Sequence, residues 1–281
     1  MNASNKELKI AFVGGGNMAA ALIAGLTGKL TAGANIHVVD PNADALARLA
    51  AQFGVTTAPA ADAALAACDV VVLAVKPQSM RDVAAQLLPF LGGAARPLVL
   101  SIAAGIRGAD LSRWLGGYGA VVRCMPNTPA LIGLGITGMV ASAGVAAAQK
   151  DAADAIMRAV GTTVWLDEET LIDPVTAVSG SGPAYVFYFI EALQEAAAEL
   201  GLTPAQGKQL ALATFVGAAQ LAAQSDEPVA LLRERVTSKG GTTYAALSSM
   251  ESSGVKDAIK AAVKAAARRG KEMGDELGAA A

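Results

Sequence analysis

Histidine occurs once, cysteine twice, and aromatic residues make up only 4% of the 281-residue sequence. With His37 as the only imidazole, no His-Asp, Ser-His or Cys-His constellation is available, and no metal-ligand spacing is present. Cys68 and Cys124 each lie inside an apolar run. They read as small core residues of a reducing compartment, not as a disulfide or a metal site. Charged residues are also scarce, at 16%, and the formal net charge is −2 with no Lys/Arg cluster. That composition excludes a nucleic-acid or anionic-membrane surface. The apolar stretches are broken by Gly, Pro or charge before reaching the ~20 residues of a membrane span. The opening MNASNKELK is polar and runs straight into a strand-like segment, so no secretory leader and a cytosolic protein are expected.

What the chain has in abundance is apolar sequence, 53% of the total. At about 150 residues per domain as a soft prior, there is room for two cores. The rest is organised around KIAFVGGGNMAAALIAG, Lys9 to Gly25. Ile10 to Val13 form a near-continuous apolar run, as in a parallel strand covered on both faces. Gly14-Gly15-Gly16 ends it, and Met18 to Leu26 reads as a helix. A strand, a glycine turn and a helix place bare N–H groups at a helix N-terminus, an anion site suited to a pyrophosphate. The spacing is Gly14-x-Gly16-x-x-Ala19, and its bland alternative is a structural turn.

Further strand-like runs are Ile36–Asp40, Val70–Val75, Pro97–Gly105, Ala120–Pro126 and Thr163–Asp167. Helix candidates between them are Ala43–Phe53, Ala60–Ala67, Met80–Leu88, Ala109–Leu115 and Ala146–Val160. The alternation predicts a doubly wound parallel sheet, an α/β Rossmann domain over residues 1–167. From about Glu168 only Ala-rich helices follow, predicting an all-helical domain over 168–281: Ala184–Leu200, Pro204–Gln224, Val229–Val236, Thr243–Glu251 and Val255–Leu277. Gly201-Leu202-Thr203-Pro204 reads as a helix stop, a cap and a proline at the first helical position. Segments such as ALATFVGAAQLAA are apolar on more than one face, which calls for a subunit partner as cover.

Asp40 ends the second run, where an acidic group can hold the adenosine ribose hydroxyls; the competing reading is a helix cap. As a ribose ligand it favours NADH and repels a 2′-phosphate. Ala74-Val75-Lys76-Pro77 and Met125-Pro126-Asn127-Thr128-Pro129 sit at strand ends that line a cofactor crevice. Lys76 can orient a phosphate or be a solvated charge, and Asn127 can reach a nicotinamide amide or be a turn residue. Ser179-Gly180-Ser181-Gly182-Pro183-Ala184 puts small residues before a helix, an anion site in which Ser181 takes part, or else an elbow. The loop Val236 to Thr243 carries Ser238, Gly240, Gly241, Thr242 and Thr243 ahead of a helix. Hydroxyls and bare N–H groups together make a cradle for a small carboxylate. The thin acid–base inventory suits reduction of a preformed imine, whose nitrogen is readily protonated, better than oxidation of an alcohol.

At these residues the sequence closely resembles the pyrroline-5-carboxylate reductase family, over essentially its whole length: FVGGGNMAAAL, LAVKPQ, SIAAGI, VRCMPNTPA, SGSGPAYVFYFIEAL and VTSKGGTTYAAL. The resemblance implies reduction of 1-pyrroline-5-carboxylate to L-proline, the last step of proline synthesis. It also implies a Rossmann domain and a helical dimerisation domain, with dimers often assembled into decamers. By the same resemblance Gly14, Gly16, Asn17 and Met18 would cradle the pyrophosphate. Ala74, Lys76 and Pro77 would line the crevice, and Met125 and Asn127 would face the nicotinamide. Ser238, Gly241, Thr242 and Thr243 would hold the substrate, Thr243 next to the ring nitrogen with Asp226 as the matching acid. Members commonly use NADPH, whereas Asp40 points to NADH. The alternatives are a β-hydroxyacid dehydrogenase, which would want a Lys within Ala184–Leu200 where there is none, and a non-catalytic NAD(P) sensor, which would want a partner or DNA module.

Overall fold

Apolar runs with no polar alternation have to be buried on both faces, and four of them form the centre of one sheet. In the computed structural model, which describes residues 7–92 and 96–279, the strands are β1 (Ile10–Val13), β2 (Ile36–Val39), β3 (Thr56–Ala58), β4 (Val70–Leu73), β5 (Leu98–Ser101), β6 (Val121–Met125), β7 (Gly135–Ala141) and β8 (Gly161–Trp165). They lie in the order β3-β2-β1-β4-β5-β6-β7-β8. Every residue of β1, β2, β4 and β5 is buried, whereas edge strand β8 alternates exposed with half-buried positions. The order reverses between β1 and β4, which makes their carboxyl ends the switch point where ligands enter such sheets.

The helices of this part are α1 (Asn17–Leu26), α2 (Ala43–Phe53), α3 (Met80–Leu91), α4 (Gly108–Trp114), α5 (Ala147–Arg158) and the short α6 (Ile172–Val175). Ile10, Phe12, Val38, Val72 and Leu100 face one side and pack with Leu22 of α1, Leu49 of α2 and Ile156 of α5. The alternate residues Ala11, Val71, Leu73 and Val99 face the other side, against Met80 and Leu87 of α3 and Leu111 of α4. At ~1.5–3 kcal/mol for each large apolar side chain fully buried, these two layers carry the domain.

Three expectations change here. The sheet is not wholly parallel: β7 runs antiparallel to β6, with Met125 opposite Gly138. Neither β7 nor the three-residue β3 was foreseen. Gly135 and Gly138 dilute the β signal of β7, yet Gly138 must be bare, because a Cβ there would lie 2.7 Å from Val175 Cγ1. Ala60–Ala67 is not an α-helix. Only Ala63–Ala67 coils, as a 3-10 turn capped by Asp62, which accepts the Ala64 N–H at 2.9 Å.

The described residues divide into two compact units: one runs to Ser181 and takes in the chain again from Ala266, the other is Gly182–Ala265. The second holds α7 (Gly182–Glu199), α8 (Pro204–Ala223), α9 (Val229–Arg235), α10 (Thr242–Ser252) and the first part of α11 (Val255–Ala279), up to Ala265. Its punctuation follows the sequence: Gly201 has φ +90°, and Thr203 accepts the Gln206 N–H while Gln206 Oε1 accepts the Thr203 N–H, a capping box. Its interior is meagre. Ile190 and Ala211 are its buried apolar residues, whereas Phe187 and Tyr188 are 65% and 72% exposed. An apolar groove of about 410 Å³ runs between Tyr188, Phe189, Val255, Ile259 and Val263. Apolar surface on this scale marks an interaction face.

Candidate functional site

The turn after β1 is built by close approach. Gly14 has φ +104°, and a Cβ on it would lie 2.5 Å from the Ala74 carbonyl oxygen at the end of β4. Its N–H donates to the Val39 carbonyl of β2 at 2.8 Å, so this one residue locks three strand ends together. Gly16 is different: its φ is negative, and a Cβ would meet nothing within 4 Å. It caps α1 with no side-chain hydrogen bond, and no acidic residue occupies the first turn. The first intrahelical bond there is Ala20 N–H to the Gly16 carbonyl at 2.9 Å. The N–H groups of Asn17, Met18 and Ala19 therefore have no helical acceptor, and exposed Gly16 and Asn17 leave space over them. An uncapped helix end under open volume fits a pyrophosphate.

Asp40 is not the cap of α2. Asn42 is, accepting the Asp44 and Ala45 N–H groups. Asp40 instead accepts the Gly15 N–H on Oδ2 at 2.7 Å and the Asn42 N–H on Oδ1 at 2.8 Å. Gly15 had no sequence signal of its own beyond lying in a glycine triplet. The bond sets the Asp40 carboxylate beside the turn. Ala74 abuts Gly14, and exposed Lys76 precedes half-buried Pro77, which opens a 3-10 turn. Gly14, Asp40 and Ala74 are thus brought together, and Lys76 is left in the adjoining loop.

At the end of β6, Met125 is half-buried and Asn127 is 9% exposed. The amide of Asn127 is bonded to the protein at both ends. Nδ2 donates to the Ser179 carbonyl at 3.2 Å, and Oδ1 accepts the Ile136 N–H at 3.0 Å. The expected helix does start beside Ser181, since α7 begins at Gly182 with Pro183 in its first turn, but the chain ahead of it is already coiled. Thr176–Gly180 is a π-helical segment following α6, and the Ser181 N–H donates to the Thr176 carbonyl at 2.8 Å. What Ser181 retains for a ligand is its hydroxyl.

In the second unit, Gly240 takes φ +74° and the Gly241 N–H closes a turn onto the Ser238 carbonyl at 3.0 Å. A Cβ at Gly241 would lie 2.5 Å from Ser238 Oγ and 3.2 Å from its carbonyl oxygen, so a side chain there would turn the Ser238 hydroxyl aside. Gly241 begins α10 with no side-chain cap, leaving the N–H groups of Thr242, Thr243 and Tyr244 without helical acceptors. Ser238 and Thr242 are exposed and Thr243 is half-buried. Asp226 is exposed, and its neighbour Glu227 is paired with Arg235.

The remaining reactive types are engaged in structure. His37 is buried, with Nδ1 2.9 Å from Thr56 Oγ1 and Nε2 3.2 Å from Asp62. Burial pushes the Cys68 thiol up to about 11, helped by Asp69, and pushes Cys124 higher still, so neither is a nucleophile near neutrality. Among the described residues no group of three or more His, Cys, Asp or Glu is placed to hold a metal ion, and no helix is long and apolar enough to cross a membrane.

A glycine turn at a sheet switch point, an acid at the neighbouring strand end and an uncapped helix N-terminus define a Rossmann-type dinucleotide-binding protein. Relatives narrow the class. Residues 9–105 match the family described as NADP oxidoreductase, coenzyme F420-dependent, and residues 169–273 match pyrroline-5-carboxylate reductase dimerisation. A pyrroline-5-carboxylate reductase of Pseudomonas aeruginosa is 48% identical over 246 residues, 88% of this chain and 89% of that one. The solved structure of a pyrroline-5-carboxylate reductase from Coxiella burnetii aligns with a TM-score of 0.90 at 40% identity, covering 95% of this chain and 99% of the other. That of Plasmodium falciparum pyrroline carboxylate reductase with NADP bound gives 0.85 at 30% identity, over 96% and 99%. The chain belongs to the pyrroline-5-carboxylate reductase family and is an NAD(P)H-dependent oxidoreductase. The matched dimerisation region and the apolar surface of the second unit support its self-association.

Proposed function

We propose that the chain carries out the reduction of 1-pyrroline-5-carboxylate to L-proline, the last step of proline synthesis. The observation that carries this reading is the uncapped α1 N-terminus beneath the open volume at Gly16, in a chain nearly half identical to a curated reductase of that name. Residues 1–167 serve as the dinucleotide domain and 168–281 as the substrate and dimerisation domain. Gly14, Gly16, Asn17 and Met18 hold the pyrophosphate, and Ala74, Lys76, Pro77 and Met125 line the crevice. A bound reduced nicotinamide supplies the hydride that adds to the imine carbon. Ser238, Gly240, Gly241 and Thr242 hold the substrate carboxylate at the α10 N-terminus. Thr243 hydrogen-bonds the ring nitrogen and relays the proton it needs, with Asp226 as the acid that the family resemblance matches to this loop.

NADH is the proposed preference. Asp40, held by the Gly15 N–H, would accept from a ribose 2′-hydroxyl and would repel a 2′-phosphate. The working assembly is a dimer, built up to a decamer as the family resemblance implies, in the cytosol. The test mixes purified protein, NADH or NADPH and pyrroline-5-carboxylate, and follows cofactor absorbance together with proline. Proline formed in step with cofactor oxidation is the expected result; cofactor binding without proline would leave a sensor.

A further inference from the structure

Pro183 stands four residues after Ser179. In α-helical register the Ser179 carbonyl would accept the N–H of residue 183, and proline has none. The chain around it is already irregular, because Thr176–Gly180 is π-helical. The Ser179 carbonyl accepts from Asn127 Nδ2 at 3.2 Å instead, across 52 residues of sequence. The other end of the same amide is equally occupied, since Oδ1 accepts the Ile136 N–H at the start of β7. A second contact lies alongside: a Cβ on Gly180 would sit 2.7 Å from Met125 Cε, so the Met125 methyl rests on a bare Cα. Residues Met125 to Asn127, at the carboxyl end of β6, are therefore held against the π-helical segment at two points. Turning the Asn127 amide toward a ligand would break both bonds at once and leave a half-buried carbonyl and a half-buried N–H without their partner.

We propose that Asn127 is a positioning residue, not a ligand of the nicotinamide. Acting through the Ser179 carbonyl that Pro183 leaves without its helical donor, it fixes Met125 and Pro126 at the crevice edge where the nicotinamide ring must lie. The proposal rests on the reading of the chain as a nicotinamide-dependent reductase.

Two variants separate the contacts. Asn127→Asp keeps an acceptor for the Ile136 N–H and removes the donor to Ser179. Gly180→Ala pushes Met125 without touching Asn127. NADH affinity and bound-NADH fluorescence are measured for each, with turnover and the isotope effect of 4-deuterated NADH. Both variants should keep NADH affinity within about twofold, because the pyrophosphate turn is untouched, while kcat falls about tenfold or more and the isotope effect rises. An Asn127→Asp variant that loses affinity about tenfold, beside a Gly180→Ala variant with unchanged kcat, would make Asn127 a direct ligand and overturn the proposal. So would a drop in unfolding temperature with kcat, affinity and fluorescence all unchanged. If the parent binds NADH but forms no proline, the functional reading fails separately. The positioning role is then read from fluorescence, which should change in both variants at constant affinity and would refute it by staying constant.

Discussion

The backbone N–H of Gly15 donates to Asp40 Oδ2 at 2.7 Å, joining the turn after β1 to the end of β2. Asp40 Oδ1 takes the Asn42 N–H at 2.8 Å, so the same carboxylate also orients the residue that caps α2. One side chain thereby shapes the glycine turn and sets a carboxylate beside it. Each carboxylate oxygen retains acceptor capacity for a ligand hydroxyl.

The glycines of the turn should fail in different ways. Gly16→Val places its side chain in open space at negative φ, so the unfolding temperature should stay within a few degrees while cofactor binding is lost to the branched side chain. Gly14→Ala meets the Ala74 carbonyl at 2.5 Å and keeps a left-handed φ of +104°, so it should lose stability by roughly 1–3 kcal/mol or more. Calorimetric titration with the cofactor and a thermal melt on both variants check this. Unchanged affinity in Gly16→Val would remove the turn from the site.

Asp40→Asn retains shape and an acceptor but discards the charge. The NADH to NADPH ratio of kcat/KM should fall by about tenfold or more, equivalent to ~1.4 kcal/mol. Stability should also drop by about 1 kcal/mol, because charge-assisted bonds to the Gly15 and Asn42 N–H groups become neutral. A constant ratio with lowered stability would leave Asp40 as a turn-shaping residue alone.

These variants sit at positions the sequence exposes, for a physical reason. β1, β2, β4 and β5 are buried on both faces, so their unbroken apolar runs can be read locally, as can the glycine triplet and the Thr203 cap. β7 could not be read. Gly138 is there to clear Val175, a contact with α6 that no local pattern announces. The role of Asn127 was hidden in the same way, since its partner Ser179 lies 52 residues on. Pro183 after Ser-Gly-Ser-Gly reads as the start of a fresh helix. The preceding residues are in fact already coiled as a π-helix, whose wider i→i−5 bond is the Ser181 N–H reaching back to Thr176.

The second unit should not persist as a monomer surface. Phe187, Tyr188, Val216 and Leu221 are each more than half exposed in the single chain, beside the apolar groove at Tyr188 and Ile259. Sedimentation at micromolar concentration should therefore give at least a dimer, with Phe187→Asp and Tyr188→Asp together shifting it toward smaller species. A stable parent monomer would contradict the assignment of this face to self-association.

Thr243 provides the sharpest test of the chemistry. Hydride addition to a C=N bond leaves electron density on nitrogen, which must be protonated or already be an iminium. The only histidine is buried between Thr56 and Asp62, and both thiols are held in their protonated form by burial, so these groups are not the donor. Thr243 stands in the first turn of α10, next to Thr242 and behind the Gly240-Gly241 turn, where hydroxyls and unpaired N–H groups coincide. A hydroxyl there can orient the ring nitrogen and relay a proton from water without a perturbed pKa. Thr243→Val keeps the β-branched shape and removes only the hydroxyl, so turnover should fall roughly ten- to a thousandfold while NADH affinity barely moves. Thr243→Ser should recover much of the loss, because it restores the hydroxyl at the cost of a methyl. If the Val variant turns over like the parent, the proton comes from Asp226 or from water, and Thr243 serves only to start α10.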